Sequence, residues 1–291
     1  DFCLSRGLGD VYKRQDAAMA SPLYEVEDYQ GVRESLAVIH DAHVISRFLA
    51  VMREKKVILA DGHHRLEGAI QYRKLEKDTF PEERWKGSDY HLMYLTNVNG
   101  NHLKILPTHR LFYGLYLSEK EFLNRIQEWF DLRKVPDAEE LETYVFHRNW
   151  SFGLILSEES YVIKFKPERF DEVSRTIPEV LRNLDLVILH DVLFGKILGL
   201  AAEEQRNSDQ LAFERNFSRC LREVKSGKAS FAIITREIEL SQVVEVCKSG
   251  AVMPQKSTYF YPKALGGLLF GSINHEEFKY DYGAFFEQTK R

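Results

Sequence analysis

Neither the G-x-G-x-x-G turn of dinucleotide binders nor a Walker loop occurs in this chain, which excludes the two commonest glycine-built phosphate cradles. Cysteine is scarce: Cys3, Cys220 and Cys247 stand apart with no C-x-x-C spacing. That excludes a disulfide framework and a thiolate metal centre, leaves Cys220 and Cys247 as packing thiols, and fits a reducing, cytoplasmic location. No apolar run approaches the ~20 residues that cross a bilayer, so no membrane partner is expected. Charge of one sign is missing too. The 40 Lys and Arg against 44 Asp and Glu leave a net charge of −4, which gives no global electrostatic case for nucleic acid as a partner. No H-x-x-x-H or H-x-x-E-H is present, and the adjacent His63 and His64 diverge by about 100° on a helix. A zinc hydrolase built on them and His109 is therefore poorly supported.

What remains is an ordinary soluble composition, 44% hydrophobic and 29% charged, long enough for one large or two modest domains. Residues Asp1 to Gln15 show no periodicity and no signal-peptide core. Their tail, DVYKRQ, resembles translated sequencing-adapter read-through, so residues 1–15 are read as an artefactual leader on an N-terminally truncated fragment.

The chain is organised around Val57 to Tyr72, VILADGHHRLEGAIQY. An apolar run suggests a buried strand, Asp61-Gly62 a sharp turn, and His63 the start of a helix. A helix start leaves backbone N–H groups without intrahelical partners and carries the positive end of the dipole, which attracts phosphate. Gly62 allows a close backbone approach, Arg65 can fork two donors onto the same anion, and Asp61 is placed to hold a Mg²⁺ shared with the phosphates. As structure alone, Asp61 would cap the helix and Arg65 would be a solvated surface residue. That alternative leaves the clustering of Asp, Gly, two His and Arg unexplained.

Gly62-x-x-Arg65-x-x-x-Ala69 after a strand resembles the phosphate-binding box of the ParB/sulfiredoxin superfamily. Taken with ILPTHR (Ile105 to Arg110) and MPQKSTYFYPK (Met253 to Lys263), ADGHHR resembles the domain-of-unknown-function 1015 family, whose ParB-like relatives include free serine kinases. The resemblance spans about Tyr24 to Ile273. It implies a nucleotide-dependent phosphotransferase using ATP or ADP with Mg²⁺ on a small hydroxyl metabolite, free serine or phosphoserine first. In the kinase relatives a Glu N-terminal to the box takes the proton, and no position here matches it, which places that base upstream of the fragment. Two alternatives accompany it: a phosphoserine-type phosphatase on the same cradle, and a ParB-like nucleotide-gated binding protein, the latter weakened by the lack of a basic helix-turn-helix.

Phosphoryl transfer needs positioning, charge neutralisation and a carboxylate or imidazole to take the hydroxyl proton. Asp61, His63, His64 and His109 are the catalytic candidates. Gly62, Arg65, Thr108, Arg110, Lys256, Ser257, Thr258 and Lys263 are the phosphate- and nucleotide-binding candidates. The Pro107-to-Arg110 stretch is expected at a strand end where it adds a hydroxyl, an imidazole and a second guanidinium, and the Met253–Lys263 loop is expected to close over the ADGHHR turn. As ordinary structure, the first would be a Pro-initiated turn and the second a packed loop with solvated lysines.

The fold expected is α/β in the mixed α+β sense. A ParB/sulfiredoxin-like unit fills residues 16–112 and a second α/β unit residues 113–291. Within the first, strands are expected at Leu36–Ile39, Val57–Ala60 and Tyr90–Thr96, with a hairpin at Asn99-Gly100 returning to Leu106. Within the second, Ser118 has capping-box spacing and opens a helix. A helix from Asp137, paired strands Ser151–Leu156 and Tyr161–Phe165, and a helix Pro178–Asn183 form scaffold and a candidate homodimer surface. Leu186–Leu189 suggests a strand, with His190-Asp191 a core or capping pair before an apolar helix. Helices Phe217–Lys225 and Leu240–Lys248 flank a strand Ser230–Thr235, and Leu268–Ile273 is expected to close as a strand.

Overall fold

A computed structural model of the chain describes residues 18–28, 31–81, 87–99, 103–254, 256–263 and 265–273. The expected leader lies outside these residues, as does Gly100 of the expected hairpin turn. The architecture is mixed α and β with antiparallel sheets. It forms two compact units, Asp1–Asn97 with Pro262–Arg291, and Val98–Tyr261.

In the first unit, strands β1 (Tyr24–Glu27) and β2 (Arg33–Leu36) pair antiparallel. Asp28 closes their turn by accepting from the Val32 amide at 2.9 Å. Helix α1 (Ala42–Met52) is capped by Asp41, whose carboxylate accepts from the His43 and Val44 amides, and it buries Val44. Helix α2 (His63–Thr79) begins where the sequence places it but buries no residue. Among the described residues of this unit only Val44 and Gly87 are buried, so local interactions carry most of its order. Arg73 Nε, for example, bonds Asp89 at 2.7 Å and ties α2 to the short 3₁₀ turn Gly87–Asp89. Gly87 lies directly against the chain at 272–273. A Cβ there would come within 2.7 Å of Ile273 Cα.

Several expected strands of this unit are corrected. Val57–Ala60, Tyr90–Thr96 and Leu268–Ile273 carry no ladder among the described residues, and β2 ends where the Leu36–Ile39 strand was expected to start. Val57 and Leu59 are 59% and 42% exposed. Apolar runs this short do not distinguish a paired strand from an irregular segment, because the pairing is decided by a partner elsewhere in the chain.

The second unit is built on a six-stranded, fully antiparallel sheet in the order β5-β7-β6-β9-β4-β8. Its strands are β4 (His109–Phe112), β5 (Phe130–Val135), β6 (Ser151–Ile155), β7 (Ser160–Phe165), β8 (Leu211–Glu214) and β9 (Phe231–Ile234). A separate two-stranded sheet pairs β3 (Lys104–Leu106) with β10 (Tyr259–Tyr261). The partner of β3 is thus the Tyr259–Tyr261 segment rather than Tyr90–Thr96. Because β4 sits inside the large sheet, the domain boundary expected at Phe112 falls within this unit.

Alternation along the strands sorts two cores. Phe112, Phe152, Leu154, Ile163, Phe165, Phe231 and Ile233 join one cluster with Phe122 and Ile126 of helix α3 (Glu119–Trp129). Leu111, Ile155, Val162, Ala232 and Ile234 join the other, with helix α4 (Leu141–Val145) and the Cys220–Val224 face of a later helix. Ser118 caps α3 as expected. Helix α5 (Glu179–Arg182) is followed by α6 (Asp185–Ile188), which runs directly into a π-helical stretch, Leu189–Ile197. The expected Leu186–Leu189 strand is therefore helical and wholly buried. Helices α7 (Ala202–Asn207), α8 (Phe217–Lys225) and α9 (Leu240–Lys248) complete the unit. A buried ion pair braces it: Arg236 Nε meets Asp185 at 2.5 Å, Asp185 also accepts the Trp150 amide at 2.9 Å, and Arg236 Nη2 bonds Asn149 at 2.8 Å.

Candidate functional site

The candidate residues divide between the units. Asp61, Gly62, His63, His64, Arg65 and Lys263 belong to the first; Thr108, His109, Arg110, Lys256, Ser257 and Thr258 belong to the second.

At the ADGHHR turn Gly62 is the N-cap of α2 with φ +90°, the left-handed region that a β-carbon penalises, and no side chain caps the helix. The first intrahelical bond is made by the Leu66 amide to Gly62 O at 2.9 Å. The amides of His63, His64 and Arg65 precede it and point out of the helix start. Arg65 folds back over Gly62, so that a Cβ on the glycine would lie 3.0 Å from Nη2. That same Nη2 bonds Asp61 Oδ2 at 3.2 Å, and Lys263 Nζ lies 3.7 Å from the same oxygen. One carboxylate thus holds two cations at a helix start, all largely exposed. His64 is fully in solvent and its Nδ1 stands 3.5 Å from Glu67; His63 is exposed as well.

In the second unit the two adjacent candidates on β4 part company. A strand turns successive side chains to opposite faces, so His109 enters the α4/α8 side and Arg110 the other. His109 is fully buried. Its Nδ1 accepts the Thr235 amide at 3.2 Å, which puts the proton on Nε2, 3.6 Å from Glu142 Oε1 and short of a hydrogen bond. The Phe217 ring meets it edge-on. This removes His109 from the expected catalytic cluster: it is a packing and tethering residue. Thr108 contributes its carbonyl, which accepts from Thr235 Oγ1 at 2.9 Å and from Arg110 Nη1.

Arg110 is fully buried, yet no carboxylate lies within ion-pair range of it among the described residues. Nη2 donates to His190 Nε2 at 3.3 Å, the guanidinium stands 5.1 Å from the Phe213 ring centroid, and Nε has no partner. Burial pushes its pKa down to about 9. The His190 tautomer follows from its neighbours. Gln205 Nε2 donates to the carbonyls of His190 and Leu200, so its Oε1 faces His190 Nδ1 at 2.7 Å as an acceptor. Nδ1 carries the proton and Nε2 is free to accept from Arg110. Burial, and then the Arg110 charge, push the His190 pKa down to about 4 against the opposing Gln205 bond.

Lys256 stands over the same Phe213 ring, Nζ 4.5 Å from its centroid, with a left-handed φ of +53°. Ser257 is buried and its hydroxyl donates to Pro254 O at 2.5 Å, closing the turn. Thr258 is half-buried beside it. Arg215, two residues beyond Phe213, covers the Tyr259 ring at 4.0 Å. Sequence reasoning missed Phe213, Gln205 and the Arg236–Asp185 pair. None carries a local motif; each is recognisable only from its partners.

Among the described residues no group of three or more His, Cys, Asp or Glu side chains is placed to hold a metal ion, and no helix is long and apolar enough to cross a membrane. Residues 4–187 match the sequence profile of the family described as "Protein of unknown function (DUF1015)". No curated protein matches. Solved structures that resemble the chain include a mutant free serine kinase in complex with AMP, at 15% identity, 87% of this chain and 80% of that one, TM-score 0.38. Another is a conserved hypothetical protein from Pyrococcus furiosus, at 16% identity, 88% and 83% coverage, TM-score 0.37.

Proposed function

The chain belongs to the DUF1015 family, and on that premise we propose that it is a nucleotide-dependent phosphotransferase acting on a small hydroxyl metabolite, free serine or phosphoserine first. The observation that carries this reading is the uncapped start of α2 behind a left-handed Gly62, with Arg65 and Lys263 gathered on Asp61. A polyphosphate placed there takes hydrogen bonds from the first-turn amides and draws both cations onto itself. Asp61, relieved of them, is then the carboxylate available to take a hydroxyl proton, with His63 and His64 beside it. We read this first unit as ParB/sulfiredoxin-like on its motif.

ATP or ADP fits the donor set. Mg²⁺ does not fit as a protein-held ion: Asp61 is the lone carboxylate at the turn and its Oδ2 already faces two cations. No step is routed through the metal.

The test is to incubate the protein with serine or phosphoserine, with and without ATP or ADP, and to follow free phosphate and nucleotide separately. Coupled loss of nucleotide and gain of the transferred product supports the reading. Phosphate release from phosphoserine without nucleotide would make it a phosphatase on the same cradle. Replacing Arg65 with Ala is expected to weaken nucleotide binding by about tenfold or more, the scale of losing one charged hydrogen-bond donor; an unchanged Kd by calorimetry removes the turn from the site.

A further inference from the structure

We propose that the second unit carries its own oxyanion site, in which a phosphate-type dianion is held between the Arg110 guanidinium and the Lys256 ammonium at the Phe213 ring. The proposal does not depend on the activity just assigned.

Three observations converge on it. A guanidinium has five N–H donors, and only two of those on Arg110 are engaged among the described residues, one by Thr108 O and one by His190 Nε2. Its Nε is buried without a partner. Nε and Nη2 form the side-on edge of the fork, the edge that takes a carboxylate or phosphate bidentately. Second, the charge is not balanced: Arg110 is completely buried without a carboxylate, and a second cation, Lys256, sits on the same aromatic ring at 4.5 Å where Arg110 sits at 5.1 Å. Like charges sharing one ring repel, and an anion between them converts that repulsion into attraction. A dianion suits two cations better than a single carboxylate does. The nearby Glu214 does not fill this role. It is paired with Arg219 at 3.2 Å.

Third, the two cations are held differently. Arg110 is fixed by strand β4, Thr108 and the Gln205–His190 chain, so it cannot follow a ligand. Lys256 is exposed and stands in a left-handed conformation that a non-glycine residue adopts only under constraint, next to a turn closed by Ser257. The fixed guanidinium supplies direction and the exposed ammonium supplies closure. His190 is a positioning residue here, since it touches the guanidinium and not the anion.

The test reads Lys256 directly. Amine acetylation of the full chain, mapped by mass spectrometry, gives the labelling rate of Lys256 with inorganic phosphate or with chloride at equal ionic strength. Phosphate is expected to slow labelling by at least threefold where chloride does not, and to do so equally in the Arg65→Ala protein. Arg110→Lys, which lacks the side-on edge, should lose the protection. If that variant does not fold, the phosphate–chloride and Arg65→Ala comparisons decide alone. A rate indifferent to phosphate, or equally slowed by chloride, makes Lys256 a packing contact and overturns the proposal. Protection that disappears in Arg65→Ala overturns it too, because the anion then belongs to the ADGHHR turn.

Discussion

His190 and Arg110, eighty residues apart and both buried, meet with Nη2 donating to Nε2 at 3.3 Å, so a neutral imidazole serves as acceptor to a charged guanidinium. A proton on Nε2 would destroy that bond and place two cations in contact.

The pH dependence follows in sign and window. The folded pKa of His190 is about 4 against an ordinary 6.5. Between those values the unfolded chain binds a proton that the native state does not, so stability falls as pH drops from 6.5 towards 4. The loss attributable to His190 reaches about 3 kcal/mol at the lower end. His190→Gln keeps an acceptor for Arg110 and cannot protonate, so denaturant titrations of the two proteins at pH 7 and pH 4.5 should show a smaller acid loss in the variant. Parallel losses would refute it.

At the ADGHHR turn, Gly62→Ala and Arg65→Ala should separate cleanly. Alanine at φ +90° is strained and its methyl group meets the Arg65 guanidinium, so about 1–2 kcal/mol of local stability is lost and hydrogen exchange quickens through the first turns of α2. Arg65→Ala breaks only an exposed ion pair, worth less than about 1 kcal/mol, and should leave the melting temperature nearly unchanged.

Asp185→Ala leaves Arg236 buried and unpaired and frees the Trp150 amide, a change expected to cost about 3–5 kcal/mol. Urea unfolding followed by tryptophan fluorescence measures it. A loss under 1 kcal/mol would mean that water reaches Arg236.

Gly87→Ala is expected to expel the chain at 272–273, because the new methyl group cannot coexist with backbone 2.7–2.8 Å away. About 1–3 kcal/mol is the scale of such overpacking, and limited proteolysis should cut the 265–273 segment faster than in the parent.

How far the fold could be read from the chain depended on whether the determinant was local. The start of α2 at His63, the Ser118 cap of α3, and helices α8 and α9 fall where glycine, cap residue and periodicity put them. Leu186–Leu189 misled because four apolar residues fit a buried helix as well as a strand. The separation of His109 from Arg110 needed only the assignment of β4 as a strand, after which the two-residue period does the rest. The Arg110 environment was not legible. Its acceptor comes from a helix eighty positions away and its aromatic neighbour from β8, and nothing near Pro107 encodes either.

Where the chain could change length is set by the Leu189–Ile197 stretch. An i→i+5 ladder, seen where the Leu198 amide reaches Leu193 O at 3.1 Å, spends about one more residue per turn than an α-helix. Removing one residue there would restore the commoner ladder, but everything on one side of the deletion would rotate by about 100° relative to the other. A deletion between Leu184 and His190 would swing the imidazole away from Arg110 and strand a buried cation. One placed after Phe194 would leave that contact whole and turn Ile197 out of the core instead. Relatives that have lost a residue in this helix should therefore have lost it on the C-terminal side, or have replaced the arginine.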